Sequence, residues 1–98
     1  MLLVRNVFRT HPGKAKELVK KFQAAAPHLK KMGVANTRTL TDAVAGFWTV
    51  VHEIEVPDMN AFFNAVEGRT ADEGVRTALA GYMDLVQSGH REVYKLES

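Results

Sequence analysis

The periodicity of apolar and polar positions along the chain reads strand–helix–strand–strand–helix–strand. Its two richest strand segments are apolar on both faces. Leu2, Leu3, Val4, Val7 and Phe8 make up the first, and Phe47, Trp48, Val50, Val51 and Ile54 the second. A strand with one solvated face alternates apolar and polar residues, so these two need cover on both sides. They belong in the middle of a sheet.

The spacing sets the remaining elements. The first strand, Leu2 to Arg9, stops at Thr10-His11-Pro12-Gly13, where Pro and Gly favour a turn. A helix over Lys14–Met32 carries Leu18, Phe22, Ala25, Leu29 and Met32 at spacings of four and three, the stripe of a helix lying on a sheet. Pro27 should kink it or end its first half, and Gly33 after Lys30 and Lys31 should terminate it. Val34 to Thr41, rich in Thr and Arg, reads as an edge strand. Asp42 to Gly46 closes a hairpin into the third strand, Phe47 to Val56. Pro57-Asp58 opens a short helix with Met59, Phe62, Phe63 and Val66. Thr70-Ala71-Asp72-Glu73 has the pattern of a capping box for a further helix presenting Ala71, Val75, Ala78, Leu79, Tyr82 and Val86. Gly89 is expected to break that helix, and His90 to Glu97 to form the last strand.

Central strands one and three with edge strands two and four give the order 4-1-3-2. This is an α+β, ferredoxin-like βαββαβ arrangement, an antiparallel four-stranded sheet whose right-handed crossovers place the helices on one face. The other face, bearing Leu3, Val7, Phe47 and Val51, would be an unusually large apolar patch on a monomer. A homodimer in which two sheets share one dimeric α/β barrel is the expected way to bury it.

Composition narrows the function. Residues 1–98 are enough for a single domain. With no cysteine there is no disulfide, thiolate metal site or catalytic thiol. His11, His28, His52 and His90 lack metal-binding spacing, so no metal is expected. Thirteen Lys and Arg against eleven Asp and Glu is mildly basic, and the lysines of the first helix spread over its whole polar arc. That is a solvated face, not a nucleic-acid reader. There is no phosphate-binding Gly-rich loop and no Gly-x-Ser-x-Gly elbow. The start, Met-Leu-Leu-Val-Arg-Asn, does not read as a secretory leader, and no apolar run would span a bilayer. The expectation is a cytoplasmic protein with no membrane or nucleic-acid partner.

Four residues stand out as chemistry. Asn6 interrupts a central strand on the face of Val4 and Phe8, where a buried amide must find partners. His52, in an apolar setting on the third strand, should have a depressed pKa and act as a neutral proton acceptor. Trp48, four residues earlier, would share its face and offer a flat ring to an aromatic ligand. Tyr82, in the stripe of the last helix, packs with its hydroxyl at the rim. Asn6 and His52 are the catalytic candidates, and Trp48 and Tyr82 the substrate-binding ones. Arg5, Arg9, Arg38 and Arg91 could pair with Glu53, Glu55 or Glu92, or one of them could meet an anionic substrate.

Over its whole length the chain resembles the dimeric α/β-barrel superfamily of antibiotic-biosynthesis-monooxygenase-like, stress-responsive and NIPSNAP-like proteins. The resemblance rests on the Pro12-Gly13-Lys14 turn, the strand from Phe47 to Val56 leading into Pro57-Asp58, and the closing Gly89-His90-Arg91-Glu92-Val93-Tyr94-Lys95. It implies the fold above. It also implies roles for Asn6 and Trp48, because cofactor-independent oxygenases of the superfamily use an Asn on strand one and a Trp on strand three. Haem-degrading members add a histidine ligand in the second helical region. Asp58 to Val86 contains none, so no cofactor is expected. The leading functional reading is a small-molecule-binding homodimer, a cofactor-independent oxygenase or isomerase acting on an apolar or aromatic compound. The alternative is a non-catalytic dimer serving interaction or structure.

Overall fold

A computed structural model describes residues 1–64 and 72–97. Its sheet comprises β1 (Leu2–Thr10), β2 (Asn36–Thr41), β3 (Thr49–Val56) and β4 (Val86–Lys95), all antiparallel, in the order β2-β3-β1-β4. The helices, α1 (Ala15–Lys31), α2 (described over 59–64) and the short α3 (Glu73–Ala78), lie on one face. The fold is ferredoxin-like, with β1 and β3 central as the double-sided apolar pattern requires.

Helix α1 runs through Pro27, which is exposed, so the carbonyl freed by the missing N–H is on the solvent side. Its inner face divides. Leu18 and Phe22 pack with Val50 and Leu85, whereas Ala25 and Leu29 pack with Val4, Val34, Ile54, Val56, Phe62 and Val75. Two clusters under one helix leave a seam between them, and the seam positions the site.

Several local expectations are corrected. The third strand begins at Thr49, not Phe47. Phe47 is 82% exposed, and Trp48 has a left-handed φ of 63° that ends the hairpin turn before the strand. Hydrogen bonds hold this turn: Thr10 donates its backbone N–H to the Trp48 carbonyl at 2.9 Å, and Asp42 Oδ1 accepts from Thr49 N at 2.9 Å. Trp48 therefore does not share a strand face with His52. The second strand starts at Asn36, two residues late, because Val34 turns into the core while Ala35 N–H bonds the Glu55 carbonyl.

The last helix is also far shorter than its apolar stripe suggests. The capping pattern at Thr70 and Ala71 lies outside the described residues, as does Val66. The cap observed for α3 is Asp72, whose carboxylate accepts from Val75 N at 2.9 Å. Gly81, at φ 77°, ends the helical path, and a 3-10 turn over Tyr82–Leu85 delivers the chain into β4 four residues before the expected His90. Gly89 breaks nothing. It pairs with Phe8 inside the sheet, where a β-carbon would come within 3.0 Å of the Phe8 ring and 3.1 Å of the Val7 carbonyl. The expected opening at Pro57-Asp58 is present: Asp58 Oδ1 accepts from Ala61 N at 2.8 Å, and Phe62 of α2 reaches the core.

The open face of the sheet mixes apolar and charged groups. Leu3, Val7, Leu40 and Val51 alternate with a cluster in which buried Glu53 lies 2.8 Å from both Arg5 Nε and Arg38 Nη2, and Arg5 also reaches Glu92 at 3.4 Å. Two of the four strand arginines, Arg5 and Arg38, thus find glutamates that the sequence offered. Among the described residues, no helix is long and apolar enough to cross a membrane.

Candidate functional site

Strand register determines what faces the helices. Asn6 lies directly opposite His52 of β3 on one side and Arg91 of β4 on the other, and His52 lies opposite Thr39 of β2. Residues paired directly across antiparallel strands point the same way. Thr39, His52, Asn6 and Arg91 therefore form a polar row across the helix-covered side of the sheet. That row underlies the seam between the two apolar clusters.

The seam holds a cavity of about 290 Å³ bordered by Asn6, His52 and Arg91 from the sheet. Phe8, Phe22, Leu29, Ile54, Phe62, Leu79 and Tyr82 form its apolar wall, and His90 completes the lining. The wall is mostly aromatic. Phe22 stacks on His52 with ring centroids 4.4 Å apart and planes 13° from parallel. Phe8 stacks on Phe22 at 5.6 Å, and Tyr82 meets Phe8 edge-on at 6.3 Å.

His52 is 5% exposed, and its buried Nε2 has no hydrogen-bond partner. Burial alone lowers its pKa from 6.5 to about 4, so the imidazole is neutral at physiological pH. A buried polar nitrogen left unpaired is costly, and native structures rarely tolerate one without a reason. Here it sits in the wall of a cavity large enough to hold a group that would pair with it.

Asn6 is occupied differently. Its Oδ1 accepts from Arg91 Nε at 2.6 Å, while the Arg91 guanidinium carbon lies 5.1 Å from the Phe62 ring centroid. The amide and the ring thus hold the guanidinium from two sides. Arg91 has no carboxylate partner among the described residues, in contrast to Arg5 and Arg38 on the opposite face.

Of the residues singled out in the sequence, Asn6, His52 and Tyr82 converge on this cavity and Trp48 does not. Trp48 borders a separate groove with Ala15, Lys16, Val19, Thr41, Asp42 and Phe47. Arg91, read from sequence only as one of several strand arginines, belongs to the site. Its membership depends on the β1–β4 register, and no local sequence signal carries that. Phe22 and Phe62 were visible as helix-stripe residues, with nothing to set them apart from ordinary core. Among the described residues, no cluster of His, Asp or Glu could hold a metal ion.

No family model matches the sequence, and no curated protein matches it. Solved structures do. A NIPSNAP domain protein from Burkholderia xenovorans superposes with a TM-score of 0.80 at 16% identity, covering 100% of this chain and 96% of its own. An antibiotic biosynthesis monooxygenase gives 0.75 at 14% identity with 100% of both chains covered. SnoaB, a cofactor-independent oxygenase from Streptomyces nogalater, gives 0.74 at 17% identity, covering 99% of this chain and 93% of its own. The chain shares the ferredoxin-like fold of the NIPSNAP and antibiotic-biosynthesis-monooxygenase structures, as the resemblance read from its sequence implies.

Proposed function

We propose that this protein is a homodimer that binds a flat, largely apolar aromatic compound in the seam cavity and abstracts a proton from it, with His52 as the base. The observation that carries the reading is the unpartnered, buried Nε2 of a neutral imidazole in an aromatic-walled cavity. The volume lies at the small end of ligand pockets, roughly 300–1,000 Å³, and suits two or three fused rings. The cofactor-independent oxygenase with the same fold makes an oxygenase the first reaction to test.

Without a cofactor, the electrons for dioxygen must come from the substrate itself. A ring methylene made acidic by conjugation loses a proton to Nε2. Dioxygen oxidises the resulting carbanion, the methylene becomes a carbonyl, and the second oxygen atom leaves as water. An isomerase would use the same abstraction and return the proton to another carbon. A base of such low pKa is weak in water. Between the aromatic walls beside His52 the imidazolium and the carbanion form side by side and stabilise each other. Asn6 serves as a positioning residue beside them, and Tyr82 closes the ring wall.

The dimer belongs to the same proposal. Leu3, Val7, Leu40, Val51 and Tyr94 lie on the sheet face that the helices leave open, and a second copy of that face is a self-complementary cover for them. Light scattering should return twice the 10.9 kDa chain mass.

The test of the site is calorimetric binding of 2-naphthol and naphthalene, with oxygen uptake on a tricyclic ketone bearing an acidic ring methylene. His52→Phe keeps the stack on Phe22 and removes the nitrogen. It should weaken naphthol about tenfold, leave naphthalene unchanged and slow oxygen uptake on the order of a hundredfold. Equal behaviour of the variant and the parent would overturn the role of His52.

A further inference from the structure

We infer that the ligand of this cavity carries an anionic substituent, a carboxylate or an ionised enol or phenol, and that Arg91 is the residue that selects it. This deepens the reading above and rests on the seam cavity being a binding site.

The inference follows from where charge stands. Arg91 is a permanent cation at the edge of a cavity that has no acidic residue in its lining among the described residues. On the opposite sheet face, Arg5 and Arg38 share the Glu53 carboxylate, and Arg5 also pairs with Glu92. Among the described residues, Arg91 instead has only a neutral acceptor, Asn6 Oδ1, on Nε. That bond and the Phe62 ring fix the orientation of the guanidinium and consume one of its five N–H donors, leaving the terminal nitrogens for a planar, two-oxygen anion.

The far end of the cavity is the opposite in character. His52 is buried and neutral, so it suits an uncharged hydroxyl or an acidic C–H. Arg91 and His52 flank Asn6 on neighbouring strands, which puts their backbones roughly 10 Å apart at two inter-strand spacings. An aromatic acid of two fused rings, with its polar groups at opposite ends, spans that distance. The site therefore reads an amphipathic ligand lengthwise: anion at Arg91, rings along Phe8, Phe22 and Phe62, and the reactive or hydroxyl end at His52.

The experiment compares 6-hydroxy-2-naphthoate, its methyl ester and 2-naphthol by calorimetry at neutral pH on the full chain. The acid should bind about tenfold more tightly than the ester, a typical worth for a charge-assisted Arg–carboxylate contact at a partly open site. Arg91→Met should bring acid and ester within about twofold of each other while naphthol binding holds. Arg91→Lys, which keeps the charge, should restore part of the preference and guards against reading a folding defect as selectivity. Equal binding of acid and ester by the parent protein, or a preference that survives in Arg91→Met, would overturn the inference and leave the pocket standing. Failure of all three compounds to bind would overturn both.

Discussion

Asn6 and His52 face each other across the β1–β3 pair, yet the side chains do not bond. The Asn6 carbonyl is committed to Arg91 at 2.6 Å, and the His52 Nε2 has no partner. Two adjacent polar groups that decline each other leave a buried ring nitrogen unpaired in the apolar seam. The candidate chemistry depends on that asymmetry.

Acid should therefore destabilise the protein through His52. Its folded pKa, about 4, lies below its unfolded value of 6.5. Below pH 6.5 the unfolded chain binds a proton that the folded one refuses, so stability falls as pH drops from 6.5 towards 4 and levels off beneath. The full loss is on the order of 3 kcal/mol. Urea unfolding at pH 7 and pH 4.5 should show this loss in the parent chain and lack most of it in His52→Phe. Equal pH dependence in the two proteins would place the acid sensitivity elsewhere.

The turn before β3 stores strain at Trp48, whose φ of 63° is uncommon for a large side chain. At most positions glycine is less stable than alanine. At residue 48 the order should invert: Trp48→Gly should exceed Trp48→Ala by about 1 kcal/mol in thermal or urea unfolding, because both lose the ring and only glycine tolerates the backbone. Both variants should bind 2-naphthol as the parent does, since Trp48 does not line the seam cavity. A loss of binding would return Trp48 to the site.

Double-sided apolarity in Leu2–Phe8 and Val50–Ile54 was enough to centre β1 and β3, because burial on both faces leaves a compositional mark. Trp48 misled for the same reason. Phe47 and Trp48 extend the apolar run, and nothing in their chemistry announces a left-handed turn held by Thr10 and Asp42 from outside the segment. The stripe Val75-Ala78-Leu79-Tyr82-Val86 persists through a 3-10 turn that keeps Tyr82 on the inner side, so Tyr82 was placed correctly on an element of the wrong type. His52 was legible as a buried, neutral imidazole because burial and pKa follow from local apolarity. Arg91 was not, because its neighbour Asn6 is 85 residues away.

On the open sheet face, Glu53 is the hinge of the charged cluster. Glu53→Ala leaves Arg5 and Arg38 facing each other without their shared carboxylate. The guanidinium side chains are 34% and 61% exposed, so solvent softens the loss to about 1–2 kcal/mol, well short of a fully buried pair. Urea unfolding at low and at 1 M salt should show the difference from parent shrinking with salt. Val7→Asp, on the same face, should shift the light-scattering mass towards that of one chain if the face pairs with its copy. A mass unchanged by Val7→Asp would move the interface elsewhere.

Asn6→Asp tests the polar row as a connected unit. The new carboxylate would keep the contact with Arg91, now as an ion pair, and would neutralise the guanidinium proposed to select an anionic ligand. It would also set a negative charge directly across the strand pair from His52. A nearby anion favours the imidazolium, so the His52 pKa should rise from about 4 by at least about one unit as read from its ring-proton shifts in NMR titration. The acid-over-ester preference for 6-hydroxy-2-naphthoate should fall to near unity in the same protein. Asn6→Ala should differ on both counts, leaving Arg91 charged and the His52 pKa low. The two changes expected for Asp must appear together, because a single charge at residue 6 faces both neighbours. A raised pKa with the acid preference intact would separate His52 from Arg91 and show that the ligand does not run along the row.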